Sequence, residues 1–440
     1  MARLVLKALV GSLALGAGAA APVDHMLEAR NFAAEAGLTI TDNFHALPRI
    51  RRPPGLSRTL DVLRQNRRNY ALMNDIGDDE PEGVDKLRAE MNQVEYIMKV
   101  GVGAEAYYMI PDTGSSDTWV ISEGFKCLDP SYGIEVPQEE CGFGPLFRGE
   151  FPDGRIDSQN LNISYMSGEY LNGPMGFANI TVANVTVPKQ QFALVNVAAF
   201  GGDGISSGIL GLGLRGLTAS FTGNDPRNDS IDNLVNYSPL IETMGKSKVA
   251  DPVVSFAMSR DENRSFIAFG GVPPVKTGEY TAVPIQKRTT YSGKTDYFYY
   301  DIKIDSMSWS SKTVKQTATN LPNILVDSGT TINLFPRQVA AAINRAYSPP
   351  GQQEDSMIWS VACDAVPPVL DIVIGGRPIR THPSSMILPE TAIPGTNICL
   401  SGIGAGQSGS YILGDTFMQE IVAVFDVSDK MELKFAQRLD

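Results

Sequence analysis

Histidine is nearly absent from this 440-residue chain: His25, His45 and His382 are the whole supply, so one imidazole serves everything beyond residue 45. That argues against a histidine-built metal centre and confines any chemistry needing a histidine base to His382. Cysteine is scarce as well, with Cys127, Cys141, Cys363 and Cys399 spaced like no zinc cluster, and neither a metal nor a cofactor is expected. Four cysteines permit three disulfide connectivities, and free core thiols are a further reading. Long apolar runs are missing after the stretch Ala8 to Ala21, so no membrane-spanning helix is expected. The end, Phe435-Ala436-Gln437-Arg438-Leu439-Asp440, carries no hydrophobic tail of the kind exchanged for a lipid anchor. Basic residues are few where they would matter for nucleic acid: residues 75–440 hold 27 Lys and Arg against 44 Asp and Glu, a net of −17, which excludes nucleic acid as an expected partner.

What is present divides along the chain. Arg3 and Lys7 precede the apolar stretch, and small residues follow it, so residues 1–20 read as a secretory signal. The expected location is extracellular, with a vacuole as the alternative. Six Asn-x-Ser/Thr sequons, at Asn162, Asn179, Asn184, Asn228, Asn236 and Asn263, suit that route, Asn162 and Asn236 least. Residues 21–92 differ from the rest, with helix-like periodicity from Leu56 to Arg64, the basic run Arg64 to Arg68, and the acidic stretch Asp78-Asp79-Glu80-Pro81-Glu82. From residue 93, β-branched and aromatic segments bounded by Gly, Pro or Asn dominate: 94–100, 107–110, 180–187 and 422–427 read as strands, and Arg337 to Ile343, after Pro336, as a short helix. The reading is an all-β, bilobal protein, with lobes at 93–275 and 276–440 parted near Gly270-Gly271-Val272-Pro273-Pro274.

Two stretches nearly repeat: Ile110-Pro111-Asp112-Thr113-Gly114-Ser115-Ser116 and Leu325-Val326-Asp327-Ser328-Gly329-Thr330-Thr331. Each sets a carboxylate at the end of an apolar run, inside a Gly turn. Brought face to face, the turns would hold two carboxyls within hydrogen-bond range, where like charges cannot both ionise and one proton is shared. A single site then contains an acid and a base.

At these residues the chain resembles the pepsin-like aspartic peptidases, over about Gln93 to the C-terminus. Gly208-Ile209-Leu210-Gly211-Leu212-Gly213 and Tyr411-Ile412-Leu413-Gly414-Asp415 match the segments that pass behind the family's catalytic turns, and Tyr165 matches the tyrosine of its flap. The resemblance implies a pepsin-like fold with a cleft between homologous lobes, and catalysis by water held between Asp112 and Asp327. It implies that Ser115 and Thr330 bond the outer carboxylate oxygens, that Trp119 holds Tyr165, and that Ile110, Gly114, Gly168 and Gly329 contact substrate. It further implies bridges Cys127–Cys141 and Cys363–Cys399, an apolar preference around the cut, acid-pH action, a monomer, and protein or peptide as the partner. Residues 21–92 would be an inhibitory propeptide, with Arg68 and Tyr70 as the plug. Two residues depart from the pattern: Pro111 removes a backbone donor, so its strand should be unpaired there, and Met166 replaces a flap glycine.

Two other classes compete. A pepsin-fold binding protein without turnover would have lost an aspartate, and both remain. Gly204-Ile205-Ser206-Ser207-Gly208 fits a nucleophile elbow that, with His382, would make a serine hydrolase, but an elbow must lead into a helix and glycines follow instead.

Overall fold

The computed structural model describes residues 32–51 and 94–439, apart from 130–131, 166–167, 262–263, 291–292, 394 and 408–409. The expected signal, the periodic segment 56–64, Arg68, Tyr70, the acidic stretch and Met166 lie outside the described residues. Strands dominate, as the β-branched segments require, and they form two sets joined by a third.

The first set is a nine-stranded sheet from the N-terminal half, built around the long hairpin Tyr170–Val182 and Val185–Ala199. Residues 180–187, read from sequence as one strand, are its turn: Ala183 adopts φ 49°, and Ile180, Val182, Val185 and Val187 all bury on one side. Val182 and Val185 are three residues apart, so the alternation shifts phase across Ala183-Asn184, and that shift is the turn's only mark in an otherwise continuous β-branched run. The C-terminal half forms smaller sheets, among them the five-stranded one containing Ile324–Val326, Ile412–Leu413 and Asn333–Phe335. The helix expected after Pro336 runs Arg337–Arg345.

A six-stranded sheet joins the halves, in the order Phe44–Ala46, Phe266–Phe269, Val253–Ala257, Ile421–Asp426, Glu432–Gln437, Thr281–Pro284. Val253–Ala257 and Ile421–Asp426 are buried on both faces, which explains why Ser255 alone interrupts their apolar sequence before Asp426. Val254, Phe256, Ile421, Ala423 and Phe425 enter the main core, while Val253, Ala257, Val422 and Val424 face a second cluster that Ala33 and Leu38 complete. Residues 32–51 are thus built into the fold. Arg49–Arg51 also pairs with Val94–Tyr96, and Arg49 forms an ion pair with Glu390, which Arg260 approaches at 3.9 Å. No helix among the described residues is long and apolar enough to cross a membrane.

Candidate active site

Each repeated turn ends a strand that runs parallel to a hydrophobic-hydrophobic-Gly segment. Ile110, Pro111 and Asp112 lie beside Ile209, Leu210 and Gly211; Leu325 and Val326 lie beside Ile412 and Leu413. The sequence repeat is therefore a structural repeat. Pro111 fits because the antiparallel ladder from Met98–Val102 ends at Met109, so no N–H is demanded on that side, while the parallel register passes through Pro111 opposite Leu210. The strand is unpaired on one edge only, rather than interrupted.

The middle residues of the two turns lock them together, a role that sequence reading missed. Thr113 N–H donates to Ser328 Oγ (3.0 Å), Ser328 N–H donates to Thr113 Oγ1 (3.0 Å), and the two hydroxyls donate to Val326 O (3.2 Å) and Pro111 O (2.8 Å). The signal was present in the sequence, since both tripeptides carry a hydroxyl between Asp and Gly.

The lock places each carboxyl against the opposite glycine. A Cβ on Gly114 would stand 2.5 Å from Asp327 Oδ1, and one on Gly329 would stand 2.5 Å from Asp112 Oδ1, so no larger residue fits either place. Each inner oxygen accepts from the glycine of its own turn, Gly114 N–H at 2.7 Å and Gly329 N–H at 2.8 Å. Each outer oxygen accepts from a hydroxyl, Ser115 at 2.5 Å and Thr330 at 2.7 Å. Asp112 and Asp327 are close enough to engage one another by a side-chain hydrogen bond. Burial, then the neighbouring Asp327 charge, push the Asp112 carboxyl up to about 7, and the bonds from Ser115 and Gly114 pull against that rise without overcoming it.

Tyr165 sits at the end of the hairpin Arg155–Ser164 with Tyr170–Val182; its N–H donates to Glu169 O (2.8 Å), and Gly168, at φ 89°, donates to Tyr165 O. A positive φ there is what the turn asks of glycine. The Trp119 indole N–H donates to the Tyr165 hydroxyl at 2.8 Å. Around them stand aromatics the sequence reading did not gather: Phe200 edge-on to Tyr165 and Trp119, and Phe143 stacked on Phe200 at 5.6 Å. Ile110 belongs to the same cluster. Also unforeseen is Asp117, buried and accepting from Tyr237 Oη (2.8 Å) and Ala219 N–H (2.9 Å), with burial pushing its carboxyl up to about 6.

The disulfides are Cys127–Cys141 and Cys363–Cys399. The serine-hydrolase alternative fails structurally: Ser206 is buried, the chain beyond it enters the strand Gly208–Gly211 and no helix, and His382 caps a short turn by accepting from Ser384 N–H.

Mirrored Asp turns locked across a pseudo-symmetric pair of half-molecules define an aspartic-type peptidase. The model of the eukaryotic aspartyl protease family matches residues 95–438, and the chain belongs to that family. It is 34% identical to a probable aspartic-type endopeptidase of Aspergillus fumigatus over 78% of each chain, and 26% identical to rhizopuspepsin of Rhizopus chinensis over 76% of each. The solved aspartic proteinase of Irpex lacteus shares the fold at 20% identity with a TM-score of 0.58, covering 78% of this chain and 94% of that one. The chain is an aspartic-type endopeptidase, a hydrolase.

Proposed function

We propose that this endopeptidase cleaves peptide bonds in proteins at acid pH by activating water between Asp112 and Asp327. The observation that carries this reading is the mirrored bonding of the two carboxyls, each tied to its own glycine and hydroxyl and both pressed against the opposite turn. The pair holds one proton. Water attacks the scissile carbonyl carbon, giving its proton to the ionised carboxylate, while the protonated carboxyl donates to the carbonyl oxygen; the resulting gem-diol collapses as the leaving nitrogen is protonated. Loss of the shared proton leaves two adjacent anions, so activity fails as pH rises through about 7, the position to which burial and Asp327 move Asp112. The apolar neighbourhood of Ile110, Tyr165 and Phe200 supports a preference for large apolar residues around the cut.

The reading includes secretion after removal of residues 1–20, an inhibitory leader at 21–92, lobes at 93–275 and 276–440, and a monomer. Glycans in this reading sit on exposed Asn179 and Asn228, because the amides of Asn162, Asn184 and Asn236 donate to Pro226 O, Asp42 O and Arg215 O.

Casein cleavage at acid pH is the test. Asp112→Asn and Asp327→Asn should each reduce it more than a hundredfold with circular dichroism unchanged. Cleavage that persists in either variant, or that resists a pepstatin-type inhibitor, would refute the assignment.

A further inference from the structure

A hairpin with three cations and one carboxylate, Asp296, which pairs with Lys294 at 3.5 Å, packs on the segment that leads to Asp327, in a body that is otherwise strongly acidic. The strand pair Arg288–Thr289 and Thr295–Asp296 carries Lys287, Arg288 and Lys294, and each cation lies over an aromatic ring of the segment that follows: Lys287 over Tyr297 at 4.8 Å, Arg288 over Tyr299 at 4.5 Å, Lys294 over Phe298 at 5.8 Å. Those rings lead directly to the site. Asp301 pairs with Leu325 and Ile302 with Ile324 in antiparallel register, and Val326 N–H donates to Tyr300 O, so the next step of the register sets Tyr299 level with Asp327. Burial raises the Tyr299 phenol, and the charges of Arg288, Asp301 and Asp327 all reach it. The corner also touches the other half of the molecule: Tyr300 Oη donates to Leu212 O at 2.7 Å, and Gly216 abuts Tyr297 O.

Arg288 is held for use. Its Nε and Nη2 donate to the two oxygens of Asp301, whose side chain is fully buried, and its own side chain remains 32% exposed. A guanidinium has five N–H donors in a planar fork, and among the described residues Nη1 has no protein acceptor. Asp301 is thus a positioning residue that fixes the plane of the fork, and the ring of Tyr299 supports one face of it. Neither pairing covers the remaining edge.

We propose that Arg288 recognises a carboxylate of the bound peptide, within about three residues of the scissile bond on the Asp327 side of the cleft. This rests on the endopeptidase reading and adds a polar requirement to its apolar one. A body with a net of −17 over residues 75–440 repels acidic peptides, so a local cation beside the site selects them where uniform charge would not. The carboxylate has two sources, an acidic side chain or the free C-terminus of a short product-like peptide, and the same fork accepts either.

The test uses the full chain and peptides that differ only at one position on that side of the cut: Glu, Gln or Lys, each with a free or an amidated C-terminus, assayed at pH 5.5, where a Glu side chain of ordinary pKa near 4.3 is ionised. An exposed pair of this kind predicts kcat/KM about threefold to fivefold higher for Glu than for Gln, and Lys below both. A preference confined to the free C-terminus assigns the fork to that carboxylate; one that survives amidation assigns it to the side chain. The ratio should shrink toward one in 0.5 M salt and in the paired variant Arg288→Gln with Asp301→Asn, which avoids leaving Asp301 buried and uncompensated. If that variant does not fold, the salt series on the parent decides. A parent that cleaves Glu, Gln and Lys peptides alike, whatever the C-terminus, or a preference that survives both salt and the variant, overturns the proposal. Failure to cleave even the Gln peptide would instead strike the endopeptidase reading.

Discussion

Among single residues, Asp117 has the clearest consequence outside the reaction. It is fully buried, and burial raises its carboxyl from 3.8 to about 6 despite the bonds from Tyr237 and Ala219. A raised carboxyl binds its proton more tightly in the folded chain than in the unfolded one. Its stabilisation is therefore complete below pH 3.8 and lost as pH rises through about 6, and Asp112, raised to about 7, acts in the same direction. The fold should be most stable in acid and weaken toward neutrality. Asp117→Asn imitates the protonated acid, with Nδ2 able to donate to Tyr237 and Oδ1 to accept from Ala219 N–H. Thermal unfolding should show the variant close to the parent at pH 4 and more stable by up to roughly 3 kcal/mol at pH 7. A variant weakened equally at both pH values would mean that the ionised carboxylate is the form the fold prefers.

Elements show what the sequence could and could not convey. Asp112, Asp327, Ser115, Thr330 and the bond from Trp119 to Tyr165 were legible because each belongs to a short motif whose chemistry is local to its turn or is implied by resemblance. The Thr113–Ser328 lock, the Asp117–Tyr237 bond and the approach of Arg288 to Tyr299 were not, since each joins side chains whose meeting depends on the tertiary register. The hairpin turn at Ala183 was marked only by a one-residue shift of the apolar phase between Val182 and Val185, inside an otherwise continuous β-branched run. The hairpin end at Tyr165 shows how far a single such contact is expected to reach into function. Tyr165→Phe keeps the ring on Phe200 but deprives the Trp119 indole, fully buried, of its acceptor. An orphaned buried donor costs about 1–3 kcal/mol, so kcat/KM should fall about tenfold, with faster amide exchange at Tyr165 and Gly168. Unchanged kinetics would show that turnover does not depend on this bond.

The whole molecule depends on strands drawn from far apart in the chain, and residues 32–51 supply one of them. Sequence composition marked residues 21–92 as foreign to the body, yet Phe44–Ala46 pairs with Phe266–Phe269 at the edge of the central sheet, and Ala33 and Leu38 close the cluster beneath Val253, Ala257, Val422 and Val424. Without residues 32–51 that edge would present unpaired backbone groups and that apolar face would meet water, both of which favour misassembly during folding. Arg49 adds a charge pair to Glu390, so the segment is anchored to both the central sheet and the C-terminal half. A chain beginning at residue 94 should therefore refold from denaturant with a yield several-fold below that of the full chain, and a separate peptide of residues 32–51 should restore it. An Arg49→Ala peptide should restore less, since Glu390 would keep only the longer contact to Arg260. Equal yields with and without the peptide would show that the body closes its central sheet unaided, and that residues 32–51 merely occupy a surface the body does not need.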